Sequence, residues 1–252
     1  MTQATAHIVD LQQRLRQSCA QCSLQALCLA GGVTSEDLEQ LDGIVRRRRP
    51  LQRGELLYRA GQPMQALYVA REGTFKTLSL SEEGDEQVLG FHLPGEIMGL
   101  DGMGEGSHRC ESVALESATV CEIPFADLGK IAAQVPSLQH QLMRVIGQSI
   151  GRDHHHLEML GRRHATERVA LFLHSMSERL RTLGRPHLAF SLSMSREEIA
   201  SYLGLVIETV SRTFSRLQDD GIISVHGRKI ELLDPARLED LVHVGDERRS
   251  RA

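Results

Sequence analysis

The sequence has no tryptophan, and aromatic residues make up only 4% of its 252 positions, so its core must be mainly aliphatic. No stretch approaches the roughly 18 consecutive apolar residues that span a membrane. The N-terminus also lacks the basic and then apolar regions of a secretory signal. These absences argue against an integral membrane protein and lead us to expect a cytoplasmic one.

Sequence signatures of common enzyme classes are missing as well. There is no P-loop, no dinucleotide-binding glycine motif, no serine-hydrolase elbow and no HExxH zinc motif, so we expect no enzyme. Residues 1–151 carry 13 basic and 18 acidic side chains (−5), whereas residues 152–233 carry 12 and 10 (+2). This asymmetry weakly favours the C-terminal part as the one that meets a polyanion.

Cysteine is scarce but clustered. Three of the five cysteines, Cys19, Cys22 and Cys28, follow the pattern C-x2-C-x5-C. An odd number of cysteines in a reducing compartment does not suit a set of disulfides, so the cluster indicates a metal or redox site. Thiolates suit either zinc or an iron–sulfur cluster, and the spacing does not separate the two.

The order of segments predicts an α+β protein in four parts. A cysteine-rich segment (1–30) precedes a region (31–136) with a capped helix and six β-type runs between glycine turns, the pattern of an antiparallel roll. A long helix (137–163) follows, and a winged helix-turn-helix module (164–252) ends the chain. A short helix over Phe125–Val135, ended by Pro136, is expected to lead out of the roll.

The long helix carries a heptad pattern, which predicts pairing with a second copy of the chain. The positions on this seam are Met143, Ile146, Ile150, Asp153, Leu157 and Leu160. Asp153 lies either at the helix edge in water or opposite its copy, where like charges would make a marginal, switchable dimer. The next three residues, His154–His156, point in three directions and are expected to be solvated.

The C-terminal module has clear local signals for its fold. They are an amphipathic helix over Ala165–Leu183, a capping box from Ser195 to Glu198, a helix over Arg196–Leu203, a turn at Gly204, a helix over Ile207–Asp219, and a hairpin from Ile222–Val225 and Lys229–Leu233. Three apolar residues of the second helix should pack inward: Val210, Phe214 and Leu217. This arrangement is the DNA-binding helix-turn-helix with a wing.

The opposite face of the second helix suits base recognition. Arginine pairs with guanine, glutamate accepts from cytosine, and serine serves either role. The candidate base readers are Glu208, Ser211 and Arg212, with Thr209 beside them. The candidate phosphate contacts are Arg196, Arg216, Arg228 and Lys229. We therefore expect a homodimer that binds double-stranded DNA.

The assembled parts resemble the FNR/ANR group of anaerobic regulators in the catabolite-activator superfamily. The likeness covers nearly all of residues 19–234 and includes GDEQVLGFHLPGEIMGLDGMG, ALESATVCEIPF and YLGLVIETVSR. It implies that a [4Fe–4S] cluster is held by Cys19, Cys22, Cys28 and Cys121. It also implies an oxygen-reversible dimer around Ile150 and Asp153, palindromic TTGAT-type half-sites, activation or repression of anaerobic genes, and contact of the Ser81–Glu86 loop with RNA polymerase.

Several alternatives stay open at this point. A cyclic-nucleotide regulator needs an arginine for the phosphate, but Glu111 stands at that place although Gly95 and Glu96 match, so no cyclic nucleotide is expected. A redox enzyme would leave the winged helix unexplained. The main alternative is a zinc-stapled regulator, or one that responds to nitric oxide or redox signals. Cys110 has no obvious role in the family and is expected to be a buried or half-buried strand residue, with an exchange of the ligand role between Cys110 and Cys121 as the alternative.

Overall fold

A computed structural model describes residues 19–161 and 164–249 of the chain. The first part of the predicted cysteine-rich segment, residues 1–18, lies outside the described residues. So does Arg163, the predicted last residue of the long helix. The account below therefore concerns the described ranges only.

The N-terminal part is a roll of two antiparallel sheets, preceded by helix α1 (Ser35–Ile44). Its strands are β1 (Arg46–Arg47), β2 (Leu56–Tyr58), β3 (Ala66–Glu72), β4 (Phe75–Leu80), β5 (Glu86–His92), β6 (Ile97–Met98), β7 (Glu111–Ala114) and β8 (Thr119–Pro124). One sheet has the order β1-β8-β3-β6 and the other β2-β7-β4-β5. Six of these strands fall on the predicted runs. The two-residue strands β1 and β6 were not predicted, because so short a segment has no alternation to detect.

Two helices connect the roll to the rest of the chain, α2 (Phe125–Ala132) and α3 (Pro136–Leu160). The predicted bounds were wrong here by a few residues. Pro136 begins α3, because a proline in the first turn lacks only an N–H that has no partner inside the helix. At the other end α3 stops at Leu160, with Gly161 as its C-terminal cap, before the predicted Arg163.

The C-terminal part is a winged helix-turn-helix, as predicted. Its elements are α4 (Ala165–Thr182), β9 (Ala189–Ser191), α5 (Arg196–Leu203), α6 (Ile207–Asp219), β10 (Ile223–His226), β11 (Lys229–Leu232) and α7 (Pro235–Arg249). Ser195 and Glu198 form the predicted capping box, and Gly204 makes the turn with a left-handed φ of 60°. Strand β9, which pairs with β11, and the last helix were not predicted.

The winged module packs directly on the roll of the same chain. Val88, Phe91 and Leu93 around β5 share one hydrophobic core with α4 and the helix-turn-helix. The Ser201 hydroxyl accepts a hydrogen bond from the Val88 amide over 2.8 Å. Lys76 of the roll lies 3.1 Å from Glu198 of α5. These contacts fix the position of α6 relative to the roll.

Candidate functional site

The cysteine loop is built from two short 3-10 turns that precede α1. They cover Cys19–Gln21 and Gln25–Leu27. The Cys22 amide donates to the Cys19 carbonyl over 3.3 Å, and the Gln25 amide donates to the Cys22 carbonyl over 3.0 Å. These turns let three cysteines in ten residues point toward the body of the roll.

The structure brings the fourth predicted cysteine to this loop. Cys121 lies in β8, paired across the sheet with Val69 of β3 and Arg47 of β1. One cavity is lined by all four predicted residues, Cys19, Cys22, Cys28 and Cys121. Its remaining wall is mostly aliphatic, with Arg71 as the charged member. Two segments about ninety residues apart in sequence thus form a single site.

All five cysteines of the chain carry free thiols. Within the described ranges, no three His, Cys, Asp or Glu side chains are arranged to hold a single metal ion. The donor set nevertheless suits a thiolate-bound metal group, because four soft sulfurs and an apolar wall are what such a group requires. The chemistry of the site therefore fits the predicted cofactor without identifying it.

Burial favours the protonated form of three of the cavity thiols by raising their pKa. Burial raises the pKa of Cys19 to about 12, helped by the neighbouring Asp42 carboxylate, which accepts from the Cys19 amide over 3.0 Å. Burial likewise raises the pKa of Cys28 to about 11. The Cys121 pKa is raised by burial, while the positive charges of Arg71 and Arg47 act in the opposite direction. A bound metal group must therefore displace protons, and the two arginines favour the resulting thiolates.

The cysteine loop is fastened to the long helix α3. The Gln141 side-chain amide donates to the Cys28 carbonyl over 2.7 Å, and Arg144 donates to the Ala26 carbonyl over 3.3 Å. Gly31 fits closely at this junction, because a Cβ there would lie 2.8 Å from the Ala26 carbonyl oxygen. The sequence did not reveal these contacts, since neither polar residue stands out from the helix around it.

The heptad seam of α3 is largely uncovered within the single chain. Met143 is 58% exposed, Ile150 48% and Leu157 64%, which is unusual for large apolar side chains. Asp153 is exposed on the same line, and partial burial raises the pKa of its carboxyl. Four of the six predicted seam residues are therefore exposed in the single chain.

The prediction that His154–His156 are solvated was wrong for His156. Its ring stacks on Tyr202 with the centroids 4.0 Å apart, and its Nε2 lies 2.7 Å from the Tyr202 carbonyl oxygen. His154 and His155 are exposed, as expected. The error arose because α5 packs against this turn of α3, a tertiary contact that helical periodicity does not predict.

The candidate base readers share the exposed face of α6. Glu208, Ser211 and Arg212 are exposed, and the predicted inward residues are 3% exposed or less: Val210, Phe214 and Leu217. Thr209 is half-buried, and its hydroxyl accepts a hydrogen bond from Arg212 over 3.4 Å. The structure therefore presents three candidate readers outward and gives Thr209 a supporting position.

The candidate phosphate contacts differ in their surroundings. The Arg196 guanidinium stacks 3.5 Å from the centre of the Phe214 ring, and its partial burial lowers its pKa. Arg228 donates to the Ser193 carbonyl over 3.0 Å. Arg216 is 73% exposed and 3.9 Å from Asp220, and Lys229 is exposed. Arg216, Arg228 and Lys229 are thus all exposed, whereas Arg196 is half-buried.

Cys110 is buried inside the roll, apart from the cysteine cavity. Its thiol donates to Asp101 over 3.4 Å, and burial raises its pKa to about 12. His108 also contacts Asp101, at 3.3 Å, and stacks on Tyr58 with the centroids 3.9 Å apart. These side chains fill the interior of the roll at this point, so Cys110 is a satisfied core residue.

Glu96, the residue that matches a nucleotide-binding pattern, is already engaged. Both of its carboxylate oxygens accept from Arg179 of α4, at 3.0 and 2.6 Å, and one also accepts from the Leu93 amide. Burial raises the pKa of Glu96, but Arg179 and Arg152 outweigh it and the net shift is downward. The carboxylate therefore links the roll to the winged module.

Among the described helices, none is long and apolar enough to cross a membrane.

Comparisons with known proteins match two parts of the chain. A model of the cyclic nucleotide-binding domain matches residues 48–135, and a model of the Crp-like helix-turn-helix domain matches residues 167–241. The solved structure of FixK2 from Bradyrhizobium japonicum superposes with a TM-score of 0.72 at 32% identity, covering 79% of this chain and 97% of that one.

Two curated relatives are similar over most of their length. The chain is 46% identical over 230 residues to the transcriptional activator protein Anr of Pseudomonas protegens, covering 91% of this chain and 94% of the relative. It is 39% identical over 214 residues to the fumarate and nitrate reduction regulatory protein of Escherichia coli, covering 85% and 86%. These relatives are regulators and not enzymes. The chain belongs to the CRP/FNR family of DNA-binding transcription regulators. Within that family it is similar to the Anr and Fnr proteins.

Proposed function

We propose that the chain is an oxygen-responsive regulator whose cysteine cavity holds a [4Fe–4S] cluster and controls dimerisation and DNA binding. The observation that carries this proposal is the convergence of Cys19, Cys22 and Cys28 with the distant Cys121 on one cavity. Four thiols in a mainly aliphatic setting supply the complete ligand set of such a cluster. A cytoplasmic location, where thiols stay reduced, is part of the proposal.

When it is bound, the cofactor supplies the sensitivity to oxygen. The chain couples the cysteine cavity to dimerisation and DNA binding. Cys28 is the proposed ligand whose own backbone contacts α3, because its carbonyl accepts the hydrogen bond from Gln141. Arg71, on the cavity wall, offsets the negative charge of the thiolates. Ligation would therefore order the cysteine loop against the first turns of α3.

The seam of α3 is the element whose pairing with a second copy would respond to ligation at the cysteine cavity. Its apolar residues favour pairing with a second copy, whereas two Asp153 carboxylates facing each other oppose it. Such a balance leaves the dimer close to its midpoint, so a modest stabilisation at the Gln141 end can decide the outcome. Ile150 and Asp153 are the residues on which we expect the switch to depend.

The dimer would present two copies of α6 to a palindromic site. Glu208, Ser211 and Arg212 are the proposed base readers, with Thr209 positioning Arg212. Arg216 and Arg196 supply phosphate contacts, with Arg196 half-buried against the Phe214 ring. Two half-sites compensate for a winged module that carries little net positive charge.

The exposed Ser81–Glu86 loop is the proposed contact with RNA polymerase. The Ser81 hydroxyl accepts from the amides of Glu83 and Asp85, at 3.2 and 3.1 Å. These bonds shape the turn between β4 and β5, and the four acidic residues of the loop are exposed on it: Glu82, Glu83, Asp85 and Glu86. A shaped acidic surface of this kind suits a basic patch on a partner protein.

Anaerobic reconstitution of the purified chain with iron and sulfide tests the proposal. We expect a broad visible absorbance band, about four iron and four sulfide per chain, and a dimer that binds a TTGAT-type palindrome. Air should bleach the band and return the monomer. A chain that remains dimeric in both states would contradict the switch.

Matched serine variants test the ligand set. Cys121→Ser should abolish the iron and sulfide content, whereas Cys110→Ser should retain it, because Cys110 lies outside the cavity. Zinc-stapled regulation is the second candidate, since four thiolates also suit zinc. Zinc that co-purifies with the chain, resists replacement by iron and leaves the protein colourless would favour it.

A further inference from the structure

Lys76 of β4 is a buried lysine between the roll and the winged module. Its side chain is 10% exposed, and its Nζ lies 3.1 Å from a carboxylate oxygen of Glu86 and 3.1 Å from one of Glu198. The other two lysines of the chain, Lys130 and Lys229, are exposed. A lysine is almost never buried unless it is paired, so this position calls for a specific explanation.

The two partners of Lys76 belong to different functional elements. Glu86 ends the exposed Ser81–Glu86 loop and begins β5. Glu198 lies in the first turn of α5, the first helix of the helix-turn-helix, and its other carboxylate oxygen accepts from the Ser195 amide over 2.6 Å. One ammonium group therefore connects the loop to the start of a helix in the DNA-binding module.

A second set of bonds joins the same two elements. The Ser201 hydroxyl of α5 accepts from the Val88 amide over 2.8 Å and donates to the Glu86 carbonyl over 3.2 Å. The Gln87 side-chain amide donates to the Ser201 carbonyl over 2.6 Å. Ser201 thus binds the last residue of the loop and the two residues after it, so α5 and this end of the loop form one hydrogen-bonded unit.

Stability alone does not explain why a lysine is buried here. Removing an ammonium group from water costs free energy, and apolar residues of similar size often stabilise a fold as well as a buried ion pair does. A buried charge can instead select one arrangement of two elements, because other arrangements leave it without a partner. Lys76 has both of its partners only when α5 lies against the end of the loop.

We propose that Lys76 is a positioning residue: it holds the Ser81–Glu86 loop at a fixed place relative to the helix-turn-helix, so that RNA polymerase meets the loop in register with the bound DNA. A loop that is already ordered loses less conformational freedom when a partner binds. The inference rests on the proposed polymerase contact and adds the residue that orients the loop. The base readers lie on α6, so DNA binding should not need Lys76, whereas activation should.

Transcription in vitro from a promoter with the palindromic site tests the proposal, with the anaerobically reconstituted chain at saturating DNA occupancy. Lys76→Met should bind the palindrome within about twofold of the unaltered chain, because the base readers are on another helix. It should lower activation about fivefold or more. Lys76→Arg keeps the charge and should restore activation. Lys130→Met makes the matched change at an exposed lysine and should alter neither readout.

Two measurements without polymerase test the connection itself. In hydrogen–deuterium exchange, the Val88 amide should exchange about tenfold faster or more in Lys76→Met, because a charge-assisted bond that closes the junction is lost, and at the same rate in Lys130→Met. In the unaltered chain, acetic anhydride should modify Lys76 more slowly than Lys130. This second measurement applies even if Lys76→Met does not fold.

Glu83→Lys reverses the charge of an exposed loop residue and so tests the polymerase contact separately. If Glu83→Lys lowers activation and Lys76→Met does not, the positioning role is overturned while the polymerase contact stands. A change in DNA affinity that accounts for the lost activation in Lys76→Met would also overturn it, as would equal acetylation of Lys76 and Lys130. Unchanged activation in Glu83→Lys would instead overturn the polymerase contact, and the exchange of the Val88 amide would then decide whether Lys76 holds the loop.

Discussion

The side-chain amide of Gln141 donates a hydrogen bond to the backbone carbonyl of Cys28, with 2.7 Å between the two heavy atoms. Gln141 is 6% exposed, so the bond is shielded from water. It joins the cysteine loop to α3 only two residues before Met143, the first residue of the heptad seam. This buried bond, together with the Arg144 bond to the Ala26 carbonyl, therefore connects the cysteine loop with the start of the seam.

Gln141→Leu should loosen the cysteine loop. The Cys28 carbonyl would keep the Gly31 amide as a donor but lose the Gln141 amide, and one such hydrogen bond contributes about 0.5–1.5 kcal/mol. We expect faster alkylation of Cys28 by iodoacetamide in the metal-free chain and a smaller dimer fraction in the reconstituted one. Mass spectrometry of alkylation rates and analytical ultracentrifugation measure the two effects.

Gln139→Leu on the exposed side of the same helix serves as the control. It makes the same chemical change without touching the cysteine loop, so both readouts should match those of the unaltered chain. Equal alkylation rates in Gln141→Leu and Gln139→Leu would show that the bond does not hold the loop.

The tie between Glu96 and Arg179 predicts a large effect on stability. Arg179→Met should lower the free energy of unfolding by about 3–5 kcal/mol, because it leaves a buried carboxylate without its partner. Chemical denaturation measures this. Arg181→Met is the matched control: its pair with Glu178 is exposed, and such pairs contribute at most about 1 kcal/mol. Similar losses in both variants would contradict a structural role for the buried pair.

The ion pair between Glu96 and Arg179 also predicts that the free energy of unfolding depends on pH. Despite the burial that raises it, the pKa of Glu96 is net lowered by Arg179 and Arg152. A lowered carboxyl pKa contributes stability above the pKa of the unfolded chain, and this contribution is lost as the pH falls through the folded value. Unfolding at a series of acidic pH values should therefore show a steeper loss for the unaltered chain than for Glu96→Gln.

The parts that the sequence predicted well are those with local causes. The capping box from Ser195 to Glu198, the left-handed turn at Gly204 and the amphipathic pattern of the second helix predicted α5 and α6 to the residue. Each signal acts within a few residues of the bond or turn that it specifies. Local chemistry was therefore sufficient for the helix-turn-helix.

The parts that escaped prediction depend on distant segments. His156 was expected in water but packs on Tyr202, and Glu96 was not connected with Arg179, 83 residues away. The cysteine site was predicted only in part. Its four members were predicted from a family resemblance, while the residue that fastens it to α3, Gln141, has no local signature. Pairings across the fold depend on how elements pack, which a single sequence does not specify.

The exposed face of α6 predicts separable roles in DNA binding. Glu208→Ala should relax the preference at one base pair of each half-site, a loss of about 1–3 kcal/mol of discrimination. Arg216→Ala should weaken binding to all sequences alike and reduce its salt dependence. Binding to a library of single-base variants of the palindrome, at several salt concentrations, separates the two. An unchanged base preference in Glu208→Ala would remove Glu208 from the readers.

Asp153 predicts how dimerisation responds to charge. Partial burial already raises the pKa of its carboxyl, and a second Asp153 across the seam would raise it further. The dimer should therefore take up protons as it forms, grow stronger as the pH falls through this raised pKa, and weaken as the pH rises. Asp153→Asn should remove that slope and tighten the metal-free dimer about tenfold, roughly 1.4 kcal/mol.

Sedimentation equilibrium of the metal-free chain over a range of pH measures this response. Glu158→Gln is the control, because Glu158 is an exposed acid on the same helix whose nearby partner is His155. It changes the net charge equally but does not lie on the seam. If both variants tighten the dimer to the same degree, the effect is one of overall charge. If only Asp153→Asn does so, the repulsion acts across the seam, and the apolar residues exposed beside it supply the opposing attraction.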